Sequence, residues 1–356
     1  MKPITSVTFF VPIAMQVVET MAYHLAAGPK LKVRVVTNRE RGSDFTEHPW
    51  VVERLDADPR IEVLDLSAPA VDSSLVVFGL VCQGKPDPRL RQWMSRSDGW
   101  AIFPSGAHYG SRADWLRELR HSFPEYLRAR FLILERDSRL FDFRFFCRKH
   151  VHYTPSAHPS FLSDPARREA MFGAVPSTGP RRFRVMFVGN RLPEERSVRL
   201  DACLGALRAC PAISMTSDYP SAASGGMEGL WIEYELAKGT RGLDPMNYIS
   251  ALNETEFCLS PPGWGKNWTH RTVEAVVRGS IPVIEDPQVY SVPFVADENC
   301  ILVRNGDWGG AVQRCLEASP EQIATLRAGV LRLREEWMLP EVAGRHFHDA
   351  FLAAAQ

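Results

Sequence analysis

Two cations stand at the start of a helix in residues 246–294, where the backbone itself opposes positive charge. Lys266 lies in the loop Gly263-Trp264-Gly265-Lys266-Asn267-Trp268, and Arg271 follows Thr269, a residue type that caps helices. A helix N-terminus disfavours cations by up to about 1 kcal/mol. A phosphate there would reverse the sign, held by free N–H groups and by both side chains. The competing reading is a salt bridge from Arg271 to Glu274, one turn apart in the weaker cation-before-anion order. A second group has the same chemistry. Gly189-Asn190-Arg191 follows an apolar run, and Arg196 and Arg199 come next. Gly189 would let the backbone approach a diphosphate that Arg191, Arg196 or Arg199 neutralises; the alternative is a turn and a solvated basic helix. Gly263 gives the first loop the same permissive backbone. Trp264 or Trp268 offers a plate for a base or a sugar ring, or packs the loop.

These residues need strands and helices to aim them. Phe257-Cys258-Leu259, bounded by Pro261-Pro262-Gly263, has the pattern of a buried parallel strand. Val273, Val276 and Val277 recur at helical spacing and face a core, with Arg271, Glu274 and Arg278 on the opposite side. Gly279 ends that helix, and Ile281-Pro282-Val283-Ile284 is the next strand. Upstream, residues 7–11, 12–27 and 31–36 read as strand, helix and strand, with Val17, Val18, Met21 and Leu25 inward, the opening of a doubly wound domain. Further strands are expected at 61–66, 75–80, 100–103 and 131–134, and a helix at 111–120. A second β-α start covers 183–188 and 194–209, with a strand near 213–215. Residues 217–243 carry no assignment. A strand at 301–303 and helices at 309–316, 320–337 and 340–354 complete the chain. The expected organisation is an N-terminal Rossmann-like domain (1–152), an interdomain segment (153–182), a C-terminal Rossmann-like domain (183–338), and a last helix (339–356) packing back on the first domain.

One stretch resembles a known family. Tyr248, Phe257-Cys258-Leu259-Ser260-Pro261, Gly263, Thr269-His270-Arg271-Thr272-Val273-Glu274-Ala275, Gly279-Ser280-Ile281-Pro282-Val283-Ile284, Asp286 and Pro293-Phe294 look like the C-terminal half of exostosin-type (GT47-type) glycosyltransferases. Phe187-Val188-Gly189-Asn190 with Val198-Arg199 is a weaker match. The resemblance covers about a third of the chain, and the first 180 residues lie outside it. Ser280 replaces the family's usual cysteine, and Thr269 its usual serine. The resemblance implies an α/β GT-B fold, two Rossmann-like doubly wound domains facing a central cleft. It also implies a nucleotide-sugar donor, expected to be a UDP-sugar, inversion at the anomeric carbon, and no metal at the reaction centre. No other cofactor is expected.

Glycosyl transfer needs charge stabilisation on the leaving nucleoside diphosphate and a base for the acceptor hydroxyl. Lys266, Arg271 and Arg199 suit the first need. Glu274 is the candidate partner of ribose hydroxyls, as the resemblance also implies. Asp286 would touch donor-sugar hydroxyls, or serve as a turn residue before Pro287. The base is expected from the first domain: His108, in Pro104-Ser105-Gly106-Ala107-His108-Tyr109-Gly110, or else Glu19. Other patterns do not complete a site. Asp56-Ala57-Asp58 is a D-x-D ahead of Pro59 and reads as a turn. His150-Val151-His152 and His346-Phe347-His348 lack a completing carboxylate or cysteine.

The 356 residues suffice for two domains, with 45% apolar and 24% charged side chains. Formal net charge is zero, so no affinity for nucleic acid is expected. No apolar run could span a bilayer, and no signal-peptide core precedes the first strand. Seven cysteines without a C-x-x-C suggest reduced thiols in a cytoplasm. The expected partners are therefore a nucleotide-sugar donor and a glycan or small-molecule hydroxyl acceptor; the oligomeric state is left open. Two rival readings remain: a nucleotide-sugar epimerase of the same fold, and a non-catalytic nucleotide-sugar-binding protein. A Rossmann dehydrogenase is disfavoured, because no G-x-G-x-x-G follows the first strand.

Overall fold

The computed structural model describes residues 3–12, 16–28, 31–38, 49–80, 87–104, 125, 127–134, 149–152, 156–158, 160–175, 179–191, 194–209, 229–233, 243–262 and 269–356. The expected helix at 111–120 and strand near 213–215 lie outside them. The chain divides into two compact units, Met1–Thr154 with Pro340–Gln356, and Pro155–Leu339.

In the first unit, β1 (Ser6–Phe10), β2 (Lys32–Thr37), β3 (Ile61–Asp65), β4 (Leu75–Leu80), β5 (Trp100–Pro104), β6 (Leu132–Leu134) and β7 (His150–His152) form one sheet in the order β3-β2-β1-β4-β5-β6-β7. Each neighbouring pair is parallel. The central strands β1 and β4 are short, largely apolar runs buried on both faces, as parallel sheets require, while the edge strands β3 and β7 are more polar and partly exposed. One face packs Phe10, Val36, Val76, Phe78, Ile102 and Leu132 against Leu90 and Trp93 of α3 (Leu90–Ser95). α1 (Gln16–Ala26) buries Val18, Met21 and Leu25, while Val17 lies only partly inside. α2 (Pro49–Ala57) precedes β3 and carries Asp56 in its last turn, so the D-x-D pattern is a helix end and turn.

The second unit contains β8 (Phe183–Gly189), β9 (Gly229–Glu233), β10 (Thr255–Leu259), β11 (Ile281–Ile284) and β12 (Ile301–Leu302). β9 falls in the stretch that carried no assignment. The parallel order is β12-β11-β10-β8-β9, which in the unit's own count is 2-1-3-4-5 read from the β9 edge. The chain leaves β8 toward β9 and returns on its other side with β10. That reversal parts the loops at the carboxyl ends of β8 and β10, where doubly wound folds seat their ligands.

Helices α4 (Ser160–Ser163) and α5 (Pro165–Phe172), capped by Asp164, lie in the segment expected to join the domains. They precede α6 (Glu194–Ala209) and α7 (Pro245–Asn253), and α5 packs against α7 and against α8 (His270–Val277). Every residue of α8 from Thr272 to Val277 is buried. The side expected to oppose the core is therefore covered as well. Arg278 donates to Asn253 Oδ1 at 2.6 Å and to the carbonyls of Met171, Gly173 and Ala174. Gly279 sits at φ +67°, the left-handed conformation that turns the chain from α8 into β11.

α9 (Trp308–Glu317) and α10 (Pro320–Leu333) follow β12. The expected 320–337 helix is α10 plus a π-helical turn, Arg334–Met338, in which Arg334 turns inward to the carbonyls of Val277, Phe172 and Gly173. The last helix, α11 (Pro340–Ala355), packs on α1 and β7. Its Phe351 meets Phe131 edge to face at 5.1 Å, and Arg130 donates to the Ala355 carbonyl at 3.3 Å.

Candidate functional site

Arg271 stands in the first turn of α8 and reaches back under the end of β8. Its Nε donates to the Val188 carbonyl at 3.0 Å, and its guanidinium lies 4.8 Å over the Phe187 ring. A Cβ on Gly189 would collide with Arg271 Nη2, so glycine here gives the cation its position. Arg271 Nη1 is buried and has no hydrogen-bond acceptor among the described residues. An unsatisfied buried donor costs about 1–3 kcal/mol. The alternative salt bridge to Glu274 does not form, because Glu274 is engaged elsewhere. Its Oε2 accepts from the Tyr248 hydroxyl at 2.8 Å and its Oε1 from the His158 amide at 3.0 Å. Burial, then the neighbouring Glu274 charge, pushes the Tyr248 pKa well up, so the phenol stays a donor.

Thr269 occupies the N-cap position of α8, but its hydroxyl does not cap the first-turn amides. It lies 3.3 Å from the Thr272 hydroxyl, which is 2.7 Å from the Tyr290 hydroxyl. The next residue, His270, shares its Nδ1 with the Ser156 carbonyl at 2.8 Å, and burial lowers its pKa. The segment at 156–158 is thus fastened to the first turn of α8 by both His270 and Glu274.

Three arginines from 191–199 have separate fates. Arg191 pairs with Glu233 at the end of β9 (2.7 Å) and with Asp201 of α6 (2.6 Å), and those carboxylates raise its pKa further. Arg199 pairs with Glu285 at 2.6 Å, and Trp308 Nε1 donates to the same carboxylate at 3.4 Å. Arg196 is buried and donates to Asn190 Oδ1 (3.0 Å), to the Asn190 carbonyl (3.4 Å) and to the Pro262 carbonyl (3.1 Å). Asp286 accepts from the Gln288 amide at 3.2 Å and starts a short 3-10 turn at Pro287, the turn role weighed above.

The structure therefore brings Gly189, Asn190, Arg271 and the start of α8 together at the β8/β10 reversal, with Glu274 just behind. Glu19 lies in the first unit, fully buried, with its two oxygens 2.6 and 2.7 Å from Nε and Nη2 of Arg54. That bidentate pair corrects its candidacy as a base, since no face of the carboxylate is presented to an acceptor. His108, Gly263, Trp264 and Lys266 lie outside the described residues. Sequence reasoning gave no bonding role to Glu285 or Tyr248, and offered Arg196 only as a cation for a diphosphate. The signals were there: Glu285 is the first residue past β11, and Asp286 is the one claimed by the Asp-Pro turn. Among the described residues no group of three His, Cys, Asp or Glu side chains could hold a metal ion, and no helix is long and apolar enough to cross a membrane.

No protein-family model and no curated protein matches the chain. Solved structures do. A glycosyltransferase from Rickettsia africae is similar over 99% of this chain and 99% of its own, with a TM-score of 0.58 at 9% identity. The sucrose-phosphate synthase of Thermosynechococcus elongatus is similar over 98% of this chain and 100% of its own, at a TM-score of 0.54 and 12% identity. Anabaena HepE, solved in complex with UDP, is similar over 98% and 100%, at 0.56 and 11%. The fold is GT-B. In this GT-B chain the reversal between β8 and β10 belongs to the second unit, and the candidate residues gather at its carboxyl end.

Proposed function

We propose that the chain is a glycosyltransferase of exostosin type. It moves a sugar from a nucleoside-diphosphate donor, a UDP-sugar, to an acceptor hydroxyl, with inversion and without a metal. The observation that carries the reading is Arg271. Its guanidinium lies against a glycine-ended strand at the β8/β10 reversal, with a buried Nη1 donor that a phosphate oxygen would satisfy. The GT-B fold supports it, and so does the similarity to HepE, solved with UDP-glucose.

In this reading the bond from the anomeric carbon to the diphosphate oxygen breaks, and the leaving group keeps the electron pair. A bond forms from that carbon to the acceptor oxygen, whose proton passes to a base. Arg271, Lys266 and the first-turn amides of α8 stabilise the charge on the leaving diphosphate. Gly263 and Gly189 admit it, Trp264 stacks on the base or sugar, and Asn190 borders the site. His108 is the proposed base. Glu274 acts on the site through Tyr248 and the 156–158 segment.

The test is a thermal-shift panel of nucleotides and nucleotide sugars on the wild type and on Arg271→Ala. A ligand at 100 times its Kd stabilises by about 2.7 kcal/mol. UDP or a UDP-sugar is expected to shift the wild type and leave the variant unmoved. If no nucleotide moves the wild type, with or without divalent metal, the donor-site reading fails. Conversion of a nucleotide sugar with no acceptor present would favour the epimerase instead.

A further inference from the structure

Arg196 is the residue that joins the two loops on either side of the β8/β10 reversal. It stands in the first turn of α6, nearly solvent-free. Its Nη1 reaches the carbonyl and the side-chain oxygen of Asn190, directly after β8, while its Nε reaches the carbonyl of Pro262, three residues past β10. The two strands pair in register from Phe183 and Thr255 onward, so these loops begin side by side at the sheet's carboxyl edge. Beyond that edge no ladder hydrogen bond connects them among the described residues. A planar guanidinium presents N–H groups in fixed, divergent directions and can span two loops at once; an ammonium is a point donor on a flexible stem. These three bonds go to neutral acceptors, and each acceptor belongs to one of the two loops.

We infer that Arg196 is a positioning residue: it sets the separation of residues 189–191 from Pro261 and Pro262, and so holds the phosphate cradle in shape. It does this through the Asn190 and Pro262 carbonyls and the Asn190 side-chain oxygen, and not as a counter-ion of the ligand. The inference rests on the donor-site reading for the word cradle, but the coupling of the loops stands apart from any ligand. Two properties follow. Removing Arg196 releases both loops together, although Arg196 and the bonded carbonyl of Pro262 are 66 residues apart. A lysine does not substitute for it, whereas a lysine would retain much of the affinity if residue 196 simply neutralised a phosphate.

The experiment uses the full chain as wild type, Arg196→Lys, Arg196→Met and, as an exposed-pair control in the same unit, Arg304→Ala. Amide hydrogen exchange without ligand is followed in peptides covering 187–191 and 258–264, and UDP affinity is measured by calorimetry. Both Arg196 variants are expected to exchange at least tenfold faster in both peptides, with the rest of the unit unchanged, and to bind UDP at least tenfold more weakly. Arg304→Ala should match the wild type. Faster exchange in only one loop, or uniformly across the unit, overturns the inference, as does a lysine variant that binds UDP within twofold of wild type. A wild type that binds no UDP overturns the donor reading and the cradle with it, while the exchange pattern alone still decides whether Arg196 couples the loops.

Discussion

Gly189 and Arg271 share one space at the end of β8. A methyl group at 189 would meet Arg271 Nη2, the far end of a flexible side chain, and would touch the Phe187 ring. Gly189→Ala is therefore expected to change stability by no more than about 1 kcal/mol. It should weaken UDP binding at least tenfold, because the guanidinium leaves the edge of β8. Calorimetry on a variant with a near-native melting temperature checks this, and unaltered affinity would sink the role given to Arg271. Glu274 gives the opposite pattern. Both of its oxygens serve protein donors, so Glu274→Ala strands the Tyr248 hydroxyl and the His158 amide. Bonds to a charged group are worth about 1.5–3 kcal/mol each, and a loss of roughly 3 kcal/mol is expected in urea unfolding. A variant of native stability that had lost only nucleotide affinity would make Glu274 a direct ribose partner after all.

Among the elements, α8 is unusual in being covered on every side. The sheet lies on its valine face, and α5 with the π-helical turn after α10 closes the other. Its buried Arg278 is held by one side-chain and three backbone oxygens, and burial brings its pKa down to about 10. Such a helix is a rigid mount for whatever its first turn presents. Its exit depends on Gly279, whose φ of +67° costs an L-residue roughly 1–2 kcal/mol, and where a methyl group would also crowd Val175, Arg181 and Leu331. Gly279→Ala should lower the unfolding free energy by at least that much, read as a lower urea midpoint. An unchanged midpoint would show that the α8–β11 corner relaxes freely.

At the scale of the molecule, the last helix gives the first unit a pH dependence. His24 of α1 is buried, and its ring centroid lies 6.1 Å from that of Phe347 in α11. Burial drives its pKa from 6.5 down to about 4. Above pH 6.5 the imidazole is neutral in both states and adds no pH dependence. Between 6.5 and 4 the unfolded chain binds a proton that the native chain refuses, so stability falls as pH falls. The loss approaches about 3 kcal/mol at pH 4. Urea unfolding at pH 7 and pH 4.5 should show a smaller difference for His24→Gln than for the wild type. Equal differences would place the acid sensitivity elsewhere.

Local pattern was enough for much of this protein. Strands such as β4 and β11, and helix α6, are legible because apolar runs and turn residues are short-range signals. The α/β class follows from their alternation. The cation-rich helix start at Arg271 and the glycine at 189 were legible for the same reason: each is a residue type in a local context. What a side chain bonds is not local. Glu19 finds Arg54, 35 residues away; Glu274 finds His158, 116 residues away; Arg199 finds Glu285, 86 residues away. β9, edge strand of the second sheet, lies in a Ser- and Gly-rich stretch without apolar alternation, and its place is set by pairing with β8. The sequence by itself therefore determined which segments form strands and helices and where cations and glycines cluster. Only the tertiary structure decided which carboxylates and guanidiniums are spent on one another, because buried charges must find partners and the nearest partner in space is seldom the nearest in sequence.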